Sequence, residues 1–355
     1  MSDLVNILRL IRSNGVGPRT FYSLIKKFGS VEEALEYVGA KACPADKAVK
    51  EIEQAKKLGI QILLHTDAAY PENLRSTYDA PPVLFYKGNI DLLSKTSIGV
   101  VGTRNSSAAG INITRKICAD LGKNGYMVIS GLARGIDTEA HKATLETGTI
   151  AVVAGGLDVI YPPENKKLFE QIAEQGLVIG ENPAGTEPVA RHFPQRNRII
   201  AGISSGILVV EAAKKSGSMI TADYALREGR DVFAIPGSPL DPRSSGTNFL
   251  IKNGAVLVEN ANDIIHNLGK GVAPQLLDLR EDREEDFAPE EEITLPTQPE
   301  PACGLISILS ITPVSVDEIV QQTGQPVSRI NQQLLELELE GKIRRTIGNK
   351  VALVA

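Results

Sequence analysis

Two short turns in the first half of the chain combine glycines with arginines directly after apolar stretches. One reads Gly-Thr-Arg at residues 102–104 and the other reads SGLARGID at 130–137, and helix-forming sequence follows each of them. Turns that connect a strand to a helix at the carboxyl edge of a parallel sheet expose backbone N–H groups, which favour an anion. The glycines let phosphate approach the backbone, and Arg104 and Arg134 supply positive charge. This pattern predicts a site for a phosphorylated ligand.

A third stretch, residues 190–204, places an aromatic ring among basic side chains and reads ARHFPQRNRIIAGIS. Arginines of such a stretch can hold phosphates while a base stacks on the ring of Phe193. The alternative is that Phe193 belongs to the core and the arginines to a helix surface, but the predicted position at the same sheet edge favours binding. The candidate residues for phosphate or nucleic-acid contact are Gly102, Arg104, Ser130, Gly131, Arg134, Gly135, Arg191, Phe193, Arg196, Asn197, Arg198, Ser216, Gly217 and Ser218.

Apolar runs predict the strands that would bring these turns together. The runs span residues 98–101, 127–129, 150–153, 177–179, 207–210 and 232–235, with helical patterns between them. Continuous apolar runs are typical of parallel strands that are buried on both faces. The turns that follow read GTR, SGLARGID, GGLD, GENP, EAAKKSGS and PG, and in a parallel sheet they would share one edge. The sequence therefore predicts an α/β fold with its ligand site at that edge.

Smaller units flank the predicted sheet. Residues 4–64 show short amphipathic helical patterns, and the turn at 15–18, Gly-Val-Gly-Pro, resembles a helix-hairpin-helix. Such a turn can offer backbone N–H groups to DNA phosphate, although a plain tight turn between helices is the alternative. The proline-broken stretch 70–89 is expected to end in an edge strand at 83–86.

The carboxyl-terminal segment, residues 301–355, resembles a winged helix. It shows helical patterns at 305–309, 316–323 and 327–340, and a hairpin pattern follows from Gly341 onward. The presumptive recognition helix carries three glutamates and one arginine, whereas the basic residues lie in the wing. This distribution favours protein contact or weak backbone binding over base reading.

Negative charge is concentrated in one segment. Residues 278–292 carry nine acidic and two basic residues, a local net charge of −7, against −5 for the whole chain, which leaves about +2 elsewhere. The Pro-rich, acidic stretch 270–300 lacks periodicity and predicts a disordered linker. The predicted domains are therefore 1–66, 67–269 and 301–355, and the folded parts can present a basic face to a polyanion.

Several function classes lack their signatures. The sequence contains no P-loop and no GxGxxG after a strand, so no nucleotide cofactor is predicted. The three cysteines and four histidines are scattered, which argues against a disulfide framework or a metal site. Asp137 and His141 lie one helical turn apart, but without a third ligand local structural roles are favoured over catalysis. With no long apolar run and no signal-peptide pattern, a cytosolic protein without a membrane partner is expected.

A set of motifs, taken in order, is similar to those of the DNA processing protein A family (DprA, also called Smf). They read VVGTR, VISGLARGIDTEAH, GGLDVIYPPEN, FPQRNRIIAGIS, VVEAAKKSGSMITADYA, VFAIPG and SSGTNFLIKNGA, within residues 70–267. The resemblance implies an extended Rossmann-like parallel sheet core, a small helical SAM-like amino-terminal domain and a carboxyl-terminal winged helix. It also implies a non-catalytic protein that binds single-stranded DNA, forms a homodimer, protects incoming DNA and loads RecA in natural transformation.

The resemblance assigns roles to particular residues. Arg104 occupies the position of the arginine that lines a pocket for DNA phosphates, Arg191 is the nearest candidate for a second basic group, and Phe193 corresponds to a ring that contacts a base. Gly180 stands where many members have serine, so a hydroxyl is missing there. The alternative function is a Rossmann-like nucleotide phosphoribohydrolase-type enzyme, although its PGGxGT signature does not occur in this sequence.

A basic edge without tryptophan predicts binding that depends on phosphate contacts and tolerates many sequences. Affinity for single strands is expected to fall steeply with salt, with log K against log salt sloping by about −0.7 for each phosphate contacted. Fluorescence anisotropy of labelled oligonucleotides over a salt series measures this slope. A flat salt response, or a preference for duplex over single strands, would contradict the prediction.

Overall fold

The computed structural model describes residues 2–270, 305–310, 313–346 and 350–354. Apart from Lys270, the predicted linker 270–300 lies outside the described residues. Within the described ranges, no helix is long and apolar enough to cross a membrane.

The amino-terminal helices are α1 (Ser2–Ile11), α2 (Pro18–Phe28), α3 (Val31–Val38) and α4 (Ala45–Lys57). Their apolar faces meet in one cluster that contains Leu8, Phe21 and Leu35. The α1–α2 turn contains Gly15 at φ +79°, and Pro18 occupies the first position of α2. Proline suits that position because its fixed φ is already helical and the first N–H has no intrahelical partner. Two helices joined by a glycine turn, as predicted for a helix-hairpin-helix around residues 15–18, are therefore present.

Within the described residues, nine strands form one sheet in the order β1-β2-β6-β5-β4-β3-β7-β8-β9. The strands are β1 (Gln61–Leu64), β2 (Val83–Gly88), β3 (Ser97–Val101), β4 (Met127–Ser130), β5 (Thr149–Val153), β6 (Leu177–Gly180), β7 (Gly206–Val209), β8 (Asp231–Ala234) and β9 (Val256–Leu257). β3 to β9 run parallel, whereas β1 and β2 pair antiparallel. All strands predicted for the parallel core are present, and their order reverses between β3 and β7.

The prediction of an edge strand at residues 83–86 was wrong. β2 has a neighbour on each side, because Gln61–Leu64, which the sequence pattern placed in the helical region, pairs with it as β1. The sheet thus begins ahead of the predicted boundary at residue 67. Short strands such as β1 and β9 carry too few residues for a clear period, so their pairing is decided by the sheet they join.

Helices cover both faces of the sheet. They are α5 (Glu72–Arg75), α6 (Ala108–Lys123), α7 (Ile136–Thr144), α8 (Lys166–Gln175), α9 (His192–Ile203), α10 (Gly217–Arg227), α11 (Ser245–Lys252) and α12 (Ala261–Asn267). One core cluster contains Ile199 and Ile200 of α9 and Ala222 of α10. Another contains Ile117 of α6 and Ile136 of α7. Both clusters pack on strands that are buried on both faces, as their continuous apolar sequence predicted.

The winged helix comprises β10 (Val314–Ser315), α13 (Val316–Thr323), α14 (Val327–Leu339), β11 (Ile343–Thr346) and β12 (Lys350–Leu353). Ser315 and Glu318 form a capping box that starts α13. The first predicted helix is only a 3₁₀ turn at Leu305–Ser307, because one turn is enough to bury Leu305 and Leu309. The other two predicted helices and the hairpin are confirmed.

Hydrogen bonds join the winged helix to the core. The Ala108 N–H donates to the Ile308 carbonyl (3.3 Å), Arg243 Nη2 donates to the Leu309 carbonyl (2.8 Å), and Asn112 Nδ2 donates to Glu318 Oε1 (3.2 Å). Apart from Ala108, the apolar cluster of the winged helix is made of its own residues.

Removing residues 301–355 is therefore expected to leave the rest of the chain folded. Each lost hydrogen bond contributes about 1 kcal/mol net, so Tm should fall by roughly 10 °C or less while the transition stays cooperative. Calorimetry of residues 1–300 beside the full chain measures this. Loss of the cooperative transition would show that the winged helix is an integral part of the core.

Candidate nucleic-acid interface

The edge where strands β3 to β8 end is called the carboxyl rim below. Here the structure brings together four candidates from distant parts of the sequence. Arg104 Cζ lies 5.2 Å from the centroid of the Phe193 ring, and the Arg196 guanidinium lies against Gly131. Tyr161, which sequence reasoning did not single out, places its ring 5.6 Å from that of Phe193. A small recess between these rings is lined by Gly131, Gly155, Tyr161, Pro188 and Phe193, among others.

The glycine turn after β4 does not hold an empty anion site. The N–H groups of Gly131 and Ala133 donate to Asp137 Oδ2, at 3.1 and 3.3 Å. Between them Leu132 adopts φ +57°, a strained conformation for a bulky residue, with its side chain fully buried. Asn165 Nδ2 donates to the Leu132 carbonyl (2.9 Å) and steadies the turn. The position that the sequence predicted for phosphate is thus occupied by the chain's own carboxylate.

Arg196 is the buried counter-charge of this carboxylate. Its Nη1 donates to the Val152 carbonyl (2.9 Å), and burial lowers the pKa of Arg196 to about 10, so it stays protonated at neutral pH. Burial raises the pKa of Asp137, and the charge of Arg196 acts in the opposite direction. Gly131 makes room for the guanidinium, because a Cβ there would lie 1.7 Å from Arg196 Nη1. Arg196 is therefore not exposed to an incoming phosphate.

A second carboxylate occupies the start of α6, at the point where the strand order reverses. Glu211 accepts hydrogen bonds from the Ser107 N–H (2.9 Å) and from Ser107 Oγ (2.5 Å), and its carbonyl accepts from the Thr103 N–H (2.7 Å). Burial raises the pKa of Glu211. Gly110 allows the approach, since a Cβ there would lie 2.5 Å from the carboxylate carbon. Sequence reasoning missed Glu211; the only signal was an acidic residue directly after β7.

Arg198 is buried and paired. Its Nη2 donates to Glu181 Oε2 (2.6 Å), its Nη1 donates to the Asp79 carbonyl, and only 8% of its side chain is exposed. Two positions along α9 turn the Arg198 side chain by about 200° relative to Arg196, which brings it to the Asp79 loop. The phosphate contact at Arg198 stays a prediction.

Other predicted residues support the rim without being free to bind. Ser130 Oγ donates to the Val100 carbonyl (2.6 Å) and Ser218 is buried. Gly135 has φ +73°, and a Cβ there would lie 2.4 Å from the Thr103 carbonyl oxygen. Asn197 Nδ2 donates to the Gly217 carbonyl (3.2 Å) and ties α9 to the turn before α10.

The two glycines at the strand ends also have packing roles. A Cβ on Gly102 would lie 2.5 Å from Ile136, so this glycine lets α7 approach β3. A Cβ on Gly180 would lie 3.0 Å from Leu157 Cδ1 and 3.1 Å from Val153 Cγ2, so the position where a serine was expected faces apolar side chains.

The candidates that solvent reaches at the rim are three arginines and, in part, one aromatic ring. Arg104, Arg134 and Arg191 are exposed and Phe193 is half-buried. Arg134 pairs with Glu164 (3.1 Å), both more than half exposed, which makes this a weak, exchangeable ion pair. Within the described part of the chain Arg104 forms no ion pair, and its guanidinium lies on the Phe193 ring instead. Ser216 and Gly217 start α10 at the same rim.

Asp137 and His141 do not share a site. His141 is fully buried, its Nδ1 lies 2.8 Å from Thr149 Oγ1, and burial lowers its pKa to about 3. A neutral, enclosed imidazole cannot exchange protons with a ligand at the rim. Among the described residues, no cluster of three or more His, Cys, Asp or Glu side chains could hold a metal ion.

Fold and site together define a class of protein. It is a Rossmann-like α/β protein with a helix-hairpin-helix unit before the sheet, a winged helix after it, and a rim whose anion positions are filled by its own carboxylates. The chain belongs to the DprA family: residues 61–269 match the family model described as DNA recombination-mediator protein A. Residues 2–55 match the DprA-like N-terminal HHH domain and residues 289–349 match the DprA winged helix domain.

Individual relatives agree with this assignment. DNA processing protein DprA of Streptococcus pneumoniae is 50% identical over 201 residues, which cover 56% of this chain and 71% of the relative. The X-ray structure of DprA from S. pneumoniae superposes with a TM-score of 0.65 at 37% identity, over 74% of this chain and 98% of that chain. A structure of DNA processing protein A from Helicobacter pylori, described for its single-stranded DNA binding mode, has a TM-score of 0.55 at 30% identity, over 59% and 96%.

The buried imidazole predicts acid sensitivity. The folded protein holds His141 neutral, whereas the unfolded chain protonates it near pH 6.5, so stability is lost as pH falls below that value. Between pH 7 and pH 5 this effect should cost about 2 kcal/mol of unfolding free energy. Denaturant unfolding of the parent and of His141→Asn at both pH values measures it. Equal pH dependence of the two proteins would mean that the pKa of His141 does not change on folding.

Proposed function

We propose that this protein binds single-stranded DNA along the carboxyl rim, with phosphates at Arg104 and Arg191 and a base on Phe193. The observation that carries the proposal is the Arg104 guanidinium lying 5.2 Å from the centre of the Phe193 ring at an exposed edge. A single strand presents phosphates and unstacked bases. A cation beside a ring can bind both, the cation a phosphate and the ring a base. Membership of the DprA family makes DNA recombination mediation the biological setting, and the relative from H. pylori is described as binding single-stranded DNA.

The filled anion positions favour a polymer over a mononucleotide. A nucleotide-binding Rossmann site holds its phosphate on free N–H groups of a glycine turn. Here Asp137 accepts from two N–H groups of the turn after β4, and Glu211 accepts from the Ser107 N–H just before α6. Phosphate recognition is left to mobile arginine side chains on the surface. Such contacts are individually weak and gain strength when many phosphates of one strand bind together. The alternative phosphoribohydrolase-type enzyme is not favoured.

A single strand fits the rim better than a duplex. The Phe193 ring is half-buried beside Tyr161 and Pro188, so a base must leave its stack to reach it. The ring face next to Arg104 is the one that a base would use. The cation–π contact is worth about 0.5–1 kcal/mol at an exposed site, and base stacking about 1–3 kcal/mol. Exchanging guanidinium for base is therefore favourable, and the displaced Arg104 can turn to a phosphate.

The remaining expectations of partners belong to the same proposal. We infer that the protein acts without catalysis, as a homodimer that protects a strand and passes it to RecA. Support comes from membership of a family whose model is described as a DNA recombination mediator. Light scattering measures self-association, and RecA filament assembly on the bound strand measures the transfer.

Replacing Arg104 or Arg191 by Ala is expected to weaken oligonucleotide binding about 5- to 150-fold, because a charge-assisted hydrogen bond to phosphate contributes about 1–3 kcal/mol. Phe193→Ala should lose a similar amount through base stacking. The two arginine variants should melt like the parent, since exposed side chains contribute little to the core. Phe193→Ala removes a half-buried ring and should lower Tm without abolishing the cooperative transition. Anisotropy titrations at one fixed salt concentration measure the affinities.

Lys123→Ala is the matched control. This lysine is 73% exposed in the last turn of α6, at the opposite edge of the sheet from the rim, and its loss should leave affinity unchanged. An Arg104→Ala, Arg191→Ala double variant that binds as tightly as the parent would refute the rim as the site.

A further inference from the structure

A cleft of about 440 Å³ separates the amino-terminal helices from the sheet. Its walls are the start of α2 (Val16 to Thr20), the end of β6 (Glu181 and Asn182), and Gln195 and Arg198 of α9. Gln195 lies two positions after Phe193 on α9, and Asn182 Nδ2 donates to the Ala154 carbonyl (2.7 Å) beside the rim recess. The cleft therefore opens directly next to the proposed DNA site, on the other side of α9.

A second arginine–aromatic pair stands at the cleft. Arg19, which lines it, places Cζ 4.6 Å from the centroid of the Tyr78 ring. Tyr78 is 71% exposed, and the Arg19 side chain is 62% exposed. A large ring that is this exposed gains little from folding, but it offers a free face for stacking. The pair repeats the chemistry of Arg104 and Phe193 at the rim.

The loop that carries Tyr78 is fixed to α9. Arg198 donates to the Asp79 carbonyl, and Thr77 Oγ1 donates to the Leu74 carbonyl (2.8 Å). Leu74 in turn packs on α9 so closely that a Cβ on Gly202 would lie 2.6 Å from Leu74 Cδ1. Helix α9 thus positions both arginine–aromatic pairs. The loop that Arg198 holds is the one that carries Tyr78.

The carboxylates of the cleft do not close it to a polyanion. Glu181 is paired with Arg198 at 2.6 Å, and Glu51 behind the wall is paired with Arg12 at 3.0 Å. Arg19 pairs with Asp79 at 3.7 Å, and its side chain is mostly exposed. A long, exposed ion pair contributes little, so Arg19 can exchange Asp79 for a phosphate at small cost.

We propose that Arg19 and Tyr78 form a second base-stacking subsite, so that one single strand runs from Phe193 over α9 at Gln195 to the mouth of the cleft. The inference rests on the proposed binding of single-stranded DNA at the rim and extends it to the amino-terminal unit. The subsite takes a base and its neighbouring phosphate without reading sequence. A short oligonucleotide occupies the rim alone, whereas a longer one reaches both pairs.

The test is affinity against length, measured with the full chain and labelled oligothymidylates from short to long. Tyr78→Ala should bind the shortest oligonucleotides like the parent and the longer ones about fivefold or more weakly, because one stacked base is lost. Tyr78→Phe keeps the ring and should retain the parent's affinity at every length. For long oligonucleotides, Arg19→Ala should make the slope of log K against log salt shallower by about 0.7, because one phosphate contact is lost. The slope for short oligonucleotides should stay unchanged.

Tyr37→Ala is the control for a generic exposed ring. Tyr37 is 62% exposed and has Lys27 Nζ 5.0 Å from its centroid. Lys27 does not line the cleft, whereas Arg19, the partner of Tyr78, does, so loss of Tyr37 should change nothing. A Tyr78→Ala protein that matches the parent at all lengths, or that is weakened equally at all lengths, would overturn the subsite. Failure of the rim itself would look different, since Phe193→Ala would then leave short oligonucleotides unaffected.

Discussion

Two carboxylates that satisfy the backbone of their own rim are the interaction on which the rest of this structure depends. Asp137 accepts from the turn after β4, and Glu211 accepts from the loop before α6. Both would be costly to bury without these partners, and the strained turn at Leu132 would lack its acceptor. Arg196 neutralises the first carboxylate from beneath, and Gly131 and Gly110 leave the space that each arrangement requires. The glycine-rich motifs serve internal packing as much as ligand approach.

This construction explains how a Rossmann-like sheet can carry a DNA-binding surface. A nucleotide cradle would hold one phosphate on fixed N–H groups, and its selectivity would come from enclosure. With these N–H groups occupied, the rim presents exposed arginines and a half-buried ring. Surface arginines bind a phosphate in many geometries, which suits a flexible polymer of any sequence. Binding strength then depends on how far along the surface the strand can extend.

Helix α9 divides its side chains among three tasks. Phe193 is half-buried at the rim, Arg196 points under the sheet edge to the Val152 carbonyl, and Arg198 reaches the Asp79 loop on the far side. A helix can do this because each residue turns the side chain by about 100°. The three arginines of the motif therefore have different environments: Arg191 is exposed, whereas Arg196 and Arg198 are buried. The same division places the amino-terminal unit within reach of the rim.

The sequence alone predicted the elements whose formation depends on residues close together along the chain. Strands β3 to β8, the helices α13 and α14 and the turn before α2 follow from local periodicity and from Gly and Pro positions, since burial imposes a period on each element. The residue types at the rim also indicated phosphate chemistry. Tertiary structure decided which groups meet across long separations: β1 with β2, Glu211 with Ser107, and Arg19 with Tyr78. No local pattern encodes such pairs, because their contacts depend on the order of strands and the packing of helices. For the same reason only the fold could show that Asp137 fills the turn and that Arg198 is buried against Glu181.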